Sequence, residues 1–166
     1  MITFTIDVES IGLHGDSYAV GWVVHEDGKE IESGMLAVDP STVNGSDSDR
    51  EWVTKNIPPL EVNCPGCDSM RCLFWAEWLK WKNKGAIMVS DCGWPVEARF
   101  LNWCVDWDDG ARKWEGPYPL HDLATLALAK GVDPLGTHDR LADELPKHNP
   151  TCDARQSARI FWGLLK

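Results

Sequence analysis

The sequence predicts an α/β fold, a mixed sheet of three antiparallel strands followed by two parallel ones, with helices on its faces. Three observations predict it. The first forty residues carry three β-rich segments, two of them joined by the turn signature Glu26-Asp27-Gly28. From residue 71 onward apolar strands alternate with helical patterns, as parallel pairing through crossovers requires. The length of 166 residues, 43% hydrophobic and 25% charged, suits a single domain spanning 1–166. A chain of that size buries roughly 68–70% of its unfolded surface in one core.

Each element has its own signal. Ile2-Thr3-Phe4-Thr5-Ile6 is apolar and largely β-branched, and begins a strand over residues 2–9. A loop with Gly12, Gly15 and Asp16 follows, and then residues 19–25 and 29–38 read as the two strands of a hairpin. Between 39 and 71, Pro40, Asn44, Gly45, Pro58, Pro59, Pro65 and Gly66 define a loop-rich insertion around 40–72 with at most one short helix, near 49–56. Long loops of this kind are uncommon and often functional.

Residues 71–84 carry a helical period through Leu73, Ala76 and Trp78 or Leu79, and Lys80, Lys82 and Lys84 suit a helix C-terminus. Residues 85–91 form a continuous apolar run entered through Gly85 and ended by Asp91, the pattern of a buried strand. Pro95 stands where a first helical turn tolerates proline, ahead of an amphipathic stretch over 96–107. Residues 118–122 predict a short strand leading into a helix over 123–130 that Gly131 stops. Residues 135–145 are polar with helical character. His148-Asn149-Pro150 is a turn before a last helix over 153–165, with Ala154, Ala158, Phe161, Trp162 and Leu165 at helical spacing.

Composition narrows the function classes. A net charge of −10 argues against binding duplex nucleic acid by broad phosphate neutralisation. It leaves room for a nuclease, because bound divalent ions invert the local field of acidic ligands. Most of the ten tryptophans are expected in the core, although an exposed one can stack on an unpaired base. No apolar run approaches the roughly 18 residues of a membrane span, and Met1-Ile2-Thr3-Phe4 does not open a signal peptide. The expectation is a soluble, cytoplasmic chain with no membrane partner. Six cysteines without a secretory context read as reduced thiols. Cys64, Cys67 and Cys72 are either a zinc knuckle short of a fourth ligand or ordinary loop cysteines.

The chemistry starts at Asp7-Val8-Glu9. Side chains two apart on a strand share a face, so Asp7 and Glu9 present two carboxylates to one small volume. That is costly unless a cation or a proton lies between them. The pair is either half of a metal site or a solvated strand end. Asp91 ends a later strand, Asp153 opens the final helix, and His148 precedes it by five residues. Ligand sites of open α/β sheets gather at such strand ends.

Together these residues resemble the DnaQ-like 3′–5′ exonucleases, the DEDDh group of the ribonuclease-H-like superfamily that includes ribonuclease T and oligoribonuclease. Asp7-Val8-Glu9 is similar to the family's strand-borne first motif, Val89-Ser90-Asp91 to its second, and His148-Asn149-Pro150-Thr151-Cys152-Asp153-Ala154 to its third. Leu120-His121-Asp122-Leu123-Ala124 resembles the strand-to-helix junction before the last motif. Two departures stand out. The family's Asn-x-x-Phe-Asp form is replaced by Ser90-Asp91-Cys92-Gly93-Trp94-Pro95, which makes Glu97 a substitute candidate for Asp91. The first motif continues into Ser10-Ile11-Gly12 where the family has Thr-Gly.

The resemblance implies two Mg²⁺ or Mn²⁺ ions held by Asp7, Glu9, Asp91 and Asp153. Asp7 would be shared, Glu9 and Asp153 would hold the first ion, and Asp91 would assist the second. It implies His148 as general base, Val8 and Ser10 beside the terminal nucleotide, and a homodimer. The substrate would be single-stranded RNA or DNA with a free 3′ end, RNA slightly favoured, and the products 5′-mononucleotides. Other readings are a ribonuclease-H-like nuclease that cuts internally, a non-catalytic metal- or nucleic-acid-binding module, and a zinc adaptor built on Cys64, Cys67 and Cys72.

Overall fold

The computed structural model describes residues 1–166. Its strands are β1 (Ile2–Ser10), β2 (Ser17–Glu26), β3 (Lys29–Ala37), β4 (Ile87–Ser90) and β5 (His121–Asp122). They form one mixed sheet in the order β3-β2-β1-β4-β5. β1, β2 and β3 pair antiparallel, while β4 joins β1 and β5 joins β4 in parallel, which is the strand pattern expected from the sequence. Asp27 and Gly28, with φ of 50° and 82°, close the β2–β3 hairpin in the positive-φ turn that matches strand twist.

The helices are α1 (Asp47–Asn56), α2 (Cys67–Lys82), α3 (Ala98–Asp106), α4 (Asp109–Arg112), α5 (Leu123–Ala129) and α6 (Pro150–Leu164). Alternation along β1 divides them between two layers. Phe4, Ile6 and Val8 face α2 and α3, where Phe4 meets Phe74 and Trp78 edge-on at 6.0 and 5.8 Å. Phe74 continues the cluster to Phe100 at 4.9 Å. On the opposite side of β1, Thr3 accepts a 3.2 Å bond from Trp162 of α6. Asp7 and Glu9 have the same parity as Thr3, so they lie under α6. That helix buries Ala154 and Ala158 against Val23, and Phe161 against Val89 and Leu123.

The start of α6 can approach the sheet because β2 carries a glycine there. Gly21 pairs with Asp7 in register. A Cβ on Gly21 would lie 2.2 Å from the Thr151 nitrogen and 2.3 Å from the Pro150 carbonyl carbon. The first turn of α6 therefore rests on bare backbone beside Asp7. Asn149 caps it by accepting from the Thr151 and Cys152 amides at 3.1 and 3.2 Å, and the Thr151 hydroxyl donates to the Gly34 carbonyl at 2.8 Å. Arg155 grips Glu30 of β3 with two bonds of 2.8 and 2.9 Å.

Several expected boundaries move. α1 begins at Asp47, capped by Ser46, and α6 begins three residues early, with Pro150 in its first turn. α2 already begins at Cys67, so the loop-rich insertion ends near Gly66. Its buried residues are Met70, Phe74, Trp75, Trp78 and Trp81, whereas Leu73 is exposed. The expected helix over 96–107 starts at Ala98, after an irregular turn over Gly93–Glu97 in which Trp94 has strand-like angles. The strand expected over 118–122 shrinks to His121–Asp122.

The expected helical character of 135–145 is not realised beyond a single turn, Ala142–Glu144. Pro134, Gly136 and Pro146 oppose a helix there. Glu144, 1% exposed, instead takes Arg159 at 3.0 Å and the Leu141 amide at 2.9 Å, fixing the segment by its side chain. Of the tryptophans, Trp22, Trp75, Trp78 and Trp81 are buried, while Trp52, Trp94, Trp107 and Trp114 are exposed. No helix is long and apolar enough to cross a membrane.

Gly21→Ala should cost about 1–3 kcal/mol, because its methyl group meets backbone that cannot rotate away. The urea midpoint should fall accordingly with an unchanged m-value. A midpoint equal to that of the unsubstituted protein would show that α6 does not rest on β2 as described.

Candidate metal centre

The end of β1, the loop before α6 and the first turns of α6 enclose a cavity of about 610 Å³. Its lining includes Asp7, Val8, Glu9 and Ser10 from the sheet, Asp91 after β4, and His148 and Asp153 from the far end of the chain. Ligand atoms of Glu9, His148 and Asp153 all lie within 4.8 Å of one another, the only such group of three among the His, Cys, Asp and Glu side chains. His148 Nδ1 is 3.9 Å from Glu9 Oε1, and the His148 backbone N–H donates to Asp153 Oδ2 at 3.0 Å. His148 has φ of 63°, a left-handed conformation uncommon for a residue other than glycine. Trp52 of α1 stands edge-on to the imidazole, with centroids 5.9 Å apart. Arg140 donates to Asp153 Oδ1 and, at 2.9 Å, to the Glu144 carbonyl.

Electrostatically, Asp7 is the centre. Its carboxyl is held well above the usual range, first by burial and then by the charges of Glu9, Glu97, Asp153 and Asp91. Burial, Asp153 and Glu97 push Glu9 up to about 8. Glu97, 8% exposed, is pushed up to about 7 by burial first and then by Asp91 and Asp122, against the pull of its own and the Val8 backbone amide. Asp91 is raised as well, by the protein around it and then by Asp122 and Asp153, but its residue stays exposed at the rim where water screens the effect. His148 is lowered, chiefly by burial, despite the charge of Asp153. A neutral imidazole gives these carboxylates no fixed counter-charge, and Arg140 ion-pairs with Asp153 alone.

The donor set thus fits hard divalent cations, which prefer several carboxylate oxygens, and Mn²⁺ also accepts an imidazole nitrogen. A group of Glu9, His148 and Asp153 could hold a metal ion.

Asp7, Val8, Glu9, Ser10, Asp91, His148 and Asp153 all line this one cavity, whereas Glu97 lies behind it, and their situations differ. Val8 is 6% exposed and packs into the core. Ser10 commits its hydroxyl to the Gly12 carbonyl at 2.7 Å. The charge of Glu97 raises both Asp7 and Glu9, and that of Asp91 raises Asp7 and Glu97, so both belong to the same carboxylate set, Asp91 at the cavity wall and Glu97 buried behind it. A readable signal for this was the carboxylate of Glu97 on the stripe of Phe100, Leu101 and Cys104. Trp52, Arg140 and Lys147 had no such signal. Asp122 accepts from the Gly93 and Thr125 amides, both at 2.7 Å, and so ties the turn after β4 to α5.

The cysteines do not form a comparable set. All six are free thiols, Cys64 is buried beside Asn63, and Cys72 lies 3.5 Å from Arg112. No protein-family model matches the chain, and no curated protein matches its sequence.

Glu9 and Glu97 hold protons in the fold at pH values where unfolded carboxylates, titrating near about 4.3, have released them. Stability must therefore fall as pH rises through the folded values of about 8 and about 7. His25 and His148, both lowered mainly by burial, oppose this only below about 6.5. In chelator, the melting temperature should drop from pH 6.5 to 8, with about 2–4 °C lost per kcal/mol. Glu9→Gln should flatten the slope. A melting temperature that rises across this window would contradict the assignment.

Proposed function

We propose that the chain is a metal-dependent 3′–5′ exonuclease of the DnaQ-like, DEDDh type on a ribonuclease-H-like fold. It hydrolyses single-stranded nucleic acid, RNA slightly ahead of DNA, from a free 3′ end to nucleoside 5′-monophosphates. The observation that carries this reading is the meeting of Glu9, His148 and Asp153 within 4.8 Å of one another, in the cavity that Asp7 also lines. A pair of carboxylates at the end of a central strand, a base from the last loop and a carboxylate from the last helix form a phosphodiesterase set. The cavity's size lies within the usual 300–1,000 Å³ of small-molecule sites, enough for a terminal nucleotide. Trp52, 52% exposed, offers an aromatic ring on which an unpaired base can stack. The chain's net charge of −10 suits a single strand entering one groove better than a duplex lying across the surface.

Asp7, Glu9, Asp91 and Asp153, which line the cavity, would hold the ions, with Glu97 buried behind them. Bound there, divalent cations supply Lewis acidity, acidifying the attacking water and offsetting charge that develops on the phosphodiester oxygens. The remaining work falls to the chain's own groups. His148 is the general base: burial keeps its ring neutral, and with Nδ1 turned toward Glu9, Nε2 is the atom that accepts the water's proton. The bond from its amide to Asp153 fixes the loop, and the edge contact with Trp52 limits ring rotation. Arg140 orients Asp153 from the other side. The water oxygen bonds to phosphorus as the bond to the upstream 3′ oxygen breaks.

Because the proposal makes His148 the base and leaves the ions to the carboxylates, His148→Ala should lower kcat on a 5′-labelled single strand in Mn²⁺ by about 10²–10⁴-fold while leaving Mn²⁺ affinity within a fewfold. Asp7→Ala should lose both metal and activity, and circular single strands should stay intact. Undiminished degradation by either variant, or opening of circles by the unsubstituted protein, would overturn the proposal.

A further inference from the structure

A smaller cavity, of about 220 Å³, lies between α1, the segment that follows it and Tyr18 of β2. Its lining is largely apolar, with Val38, Val53, Ile57 and Leu60 beside three prolines. An apolar cavity of about 150 Å³ is enough to take a benzene ring. Two hydroxyls interrupt this wall, and they differ. That of Thr54 donates to the Arg50 carbonyl at 2.9 Å. That of Tyr18, a residue only 2% exposed, is buried without a hydrogen-bond partner, although a buried tyrosine hydroxyl ordinarily has one. Burial first, and then the charges of Glu9 and Asp7, hold this phenol above its ordinary range, so it stays a donor. α1 stands between this cavity and the carboxylates. Trp52 lines the larger cavity and meets the His148 ring, Val53 and Thr54 line the smaller one, and Ile57 lines both. Val53 is the one buried residue of α1, so little else seats the helix.

We propose that the smaller cavity is a binding site for a small aromatic molecule with one hydrogen-bond acceptor, which takes the Tyr18 hydroxyl while its ring fills the space beside Val53 and Ile57. Filling that space seats α1, and the helix carries the constraint through Trp52 to His148. The site is independent of the exonuclease reading. It gives an apolar effector a hold on the loop that carries His148.

The probes are acetophenone and α-methylstyrene, which have the same shape, and of which only the first carries an acceptor. In calorimetric titration of the whole chain, acetophenone should bind about tenfold more tightly, the scale of one hydrogen bond. Tyr18→Phe should bring the two to equal affinity without lowering the melting temperature, because the hydroxyl it removes has no partner to lose. Val53→Phe fills the cavity and should abolish binding of both; if that variant does not fold, the Tyr18→Phe comparison still decides. On saturation with acetophenone, the His148 ring-proton resonance, identified by its loss in His148→Gln, should shift. Equal affinities in the unsubstituted protein, binding that survives Val53→Phe, an unmoved His148 resonance or no binding at all would overturn the proposal.

Discussion

Repulsion among Asp7, Glu9, Glu97 and Asp153 is the constraint around which this molecule is arranged. Two like charges about 4 Å apart near a protein surface repel by about 4 kcal/mol, and burial removes the water that would otherwise screen them. The chain counters with one guanidinium, that of Arg140 on Asp153, and leaves the rest raised well above their ordinary range. Such an arrangement is tolerable when protons or divalent cations fill the gap. Apolar residues in these places would be the more stable choice, so the acidic set is a place where a proton or a divalent cation is needed.

The scaffold keeps the carboxylates together with a few specific devices. β1 lies between β2 and β4 with both faces covered, so Asp7 and Glu9 cannot swing out to solvent without unzipping the sheet. Gly21 lets the first turn of α6 rest on β2 beside Asp7. Asn149 caps that turn, and the left-handed His148 next to it sends its amide back to Asp153. Glu144 stabilises the irregular chain that delivers Arg140. The ion pairs of this region therefore position the site more than they add to net stability, as buried pairs generally do.

Much of the fold was legible because its signals are local. Strand alternation put Asp7 and Glu9 on one face, the Asp-Gly turn announced the hairpin, and the run ending at Asp91 announced the parallel strand. What escaped depended on tertiary contacts. Residues 135–145 look helical by composition, yet a buried Glu144 takes Arg159 and sets another path. The strand end marks Asp91, whereas the irregular turn over Gly93–Glu97 that brings Glu97 inward has no simple pattern. Trp52 sits in a polar segment, and only the packing of α1 against the His148 loop singles it out among ten tryptophans.

Calorimetric titration of the chain with MnCl₂ at pH 7, in two buffers of different ionisation enthalpy, tests the central claim most directly. Glu9, pushed up to about 8, and Asp7, held well above its usual range, must lose protons to become ligands, so binding has to release them. The predicted result is saturable binding with net proton release that Glu9→Gln reduces. Absence of binding, or binding with the same heat in both buffers, would contradict a metal centre built on these carboxylates.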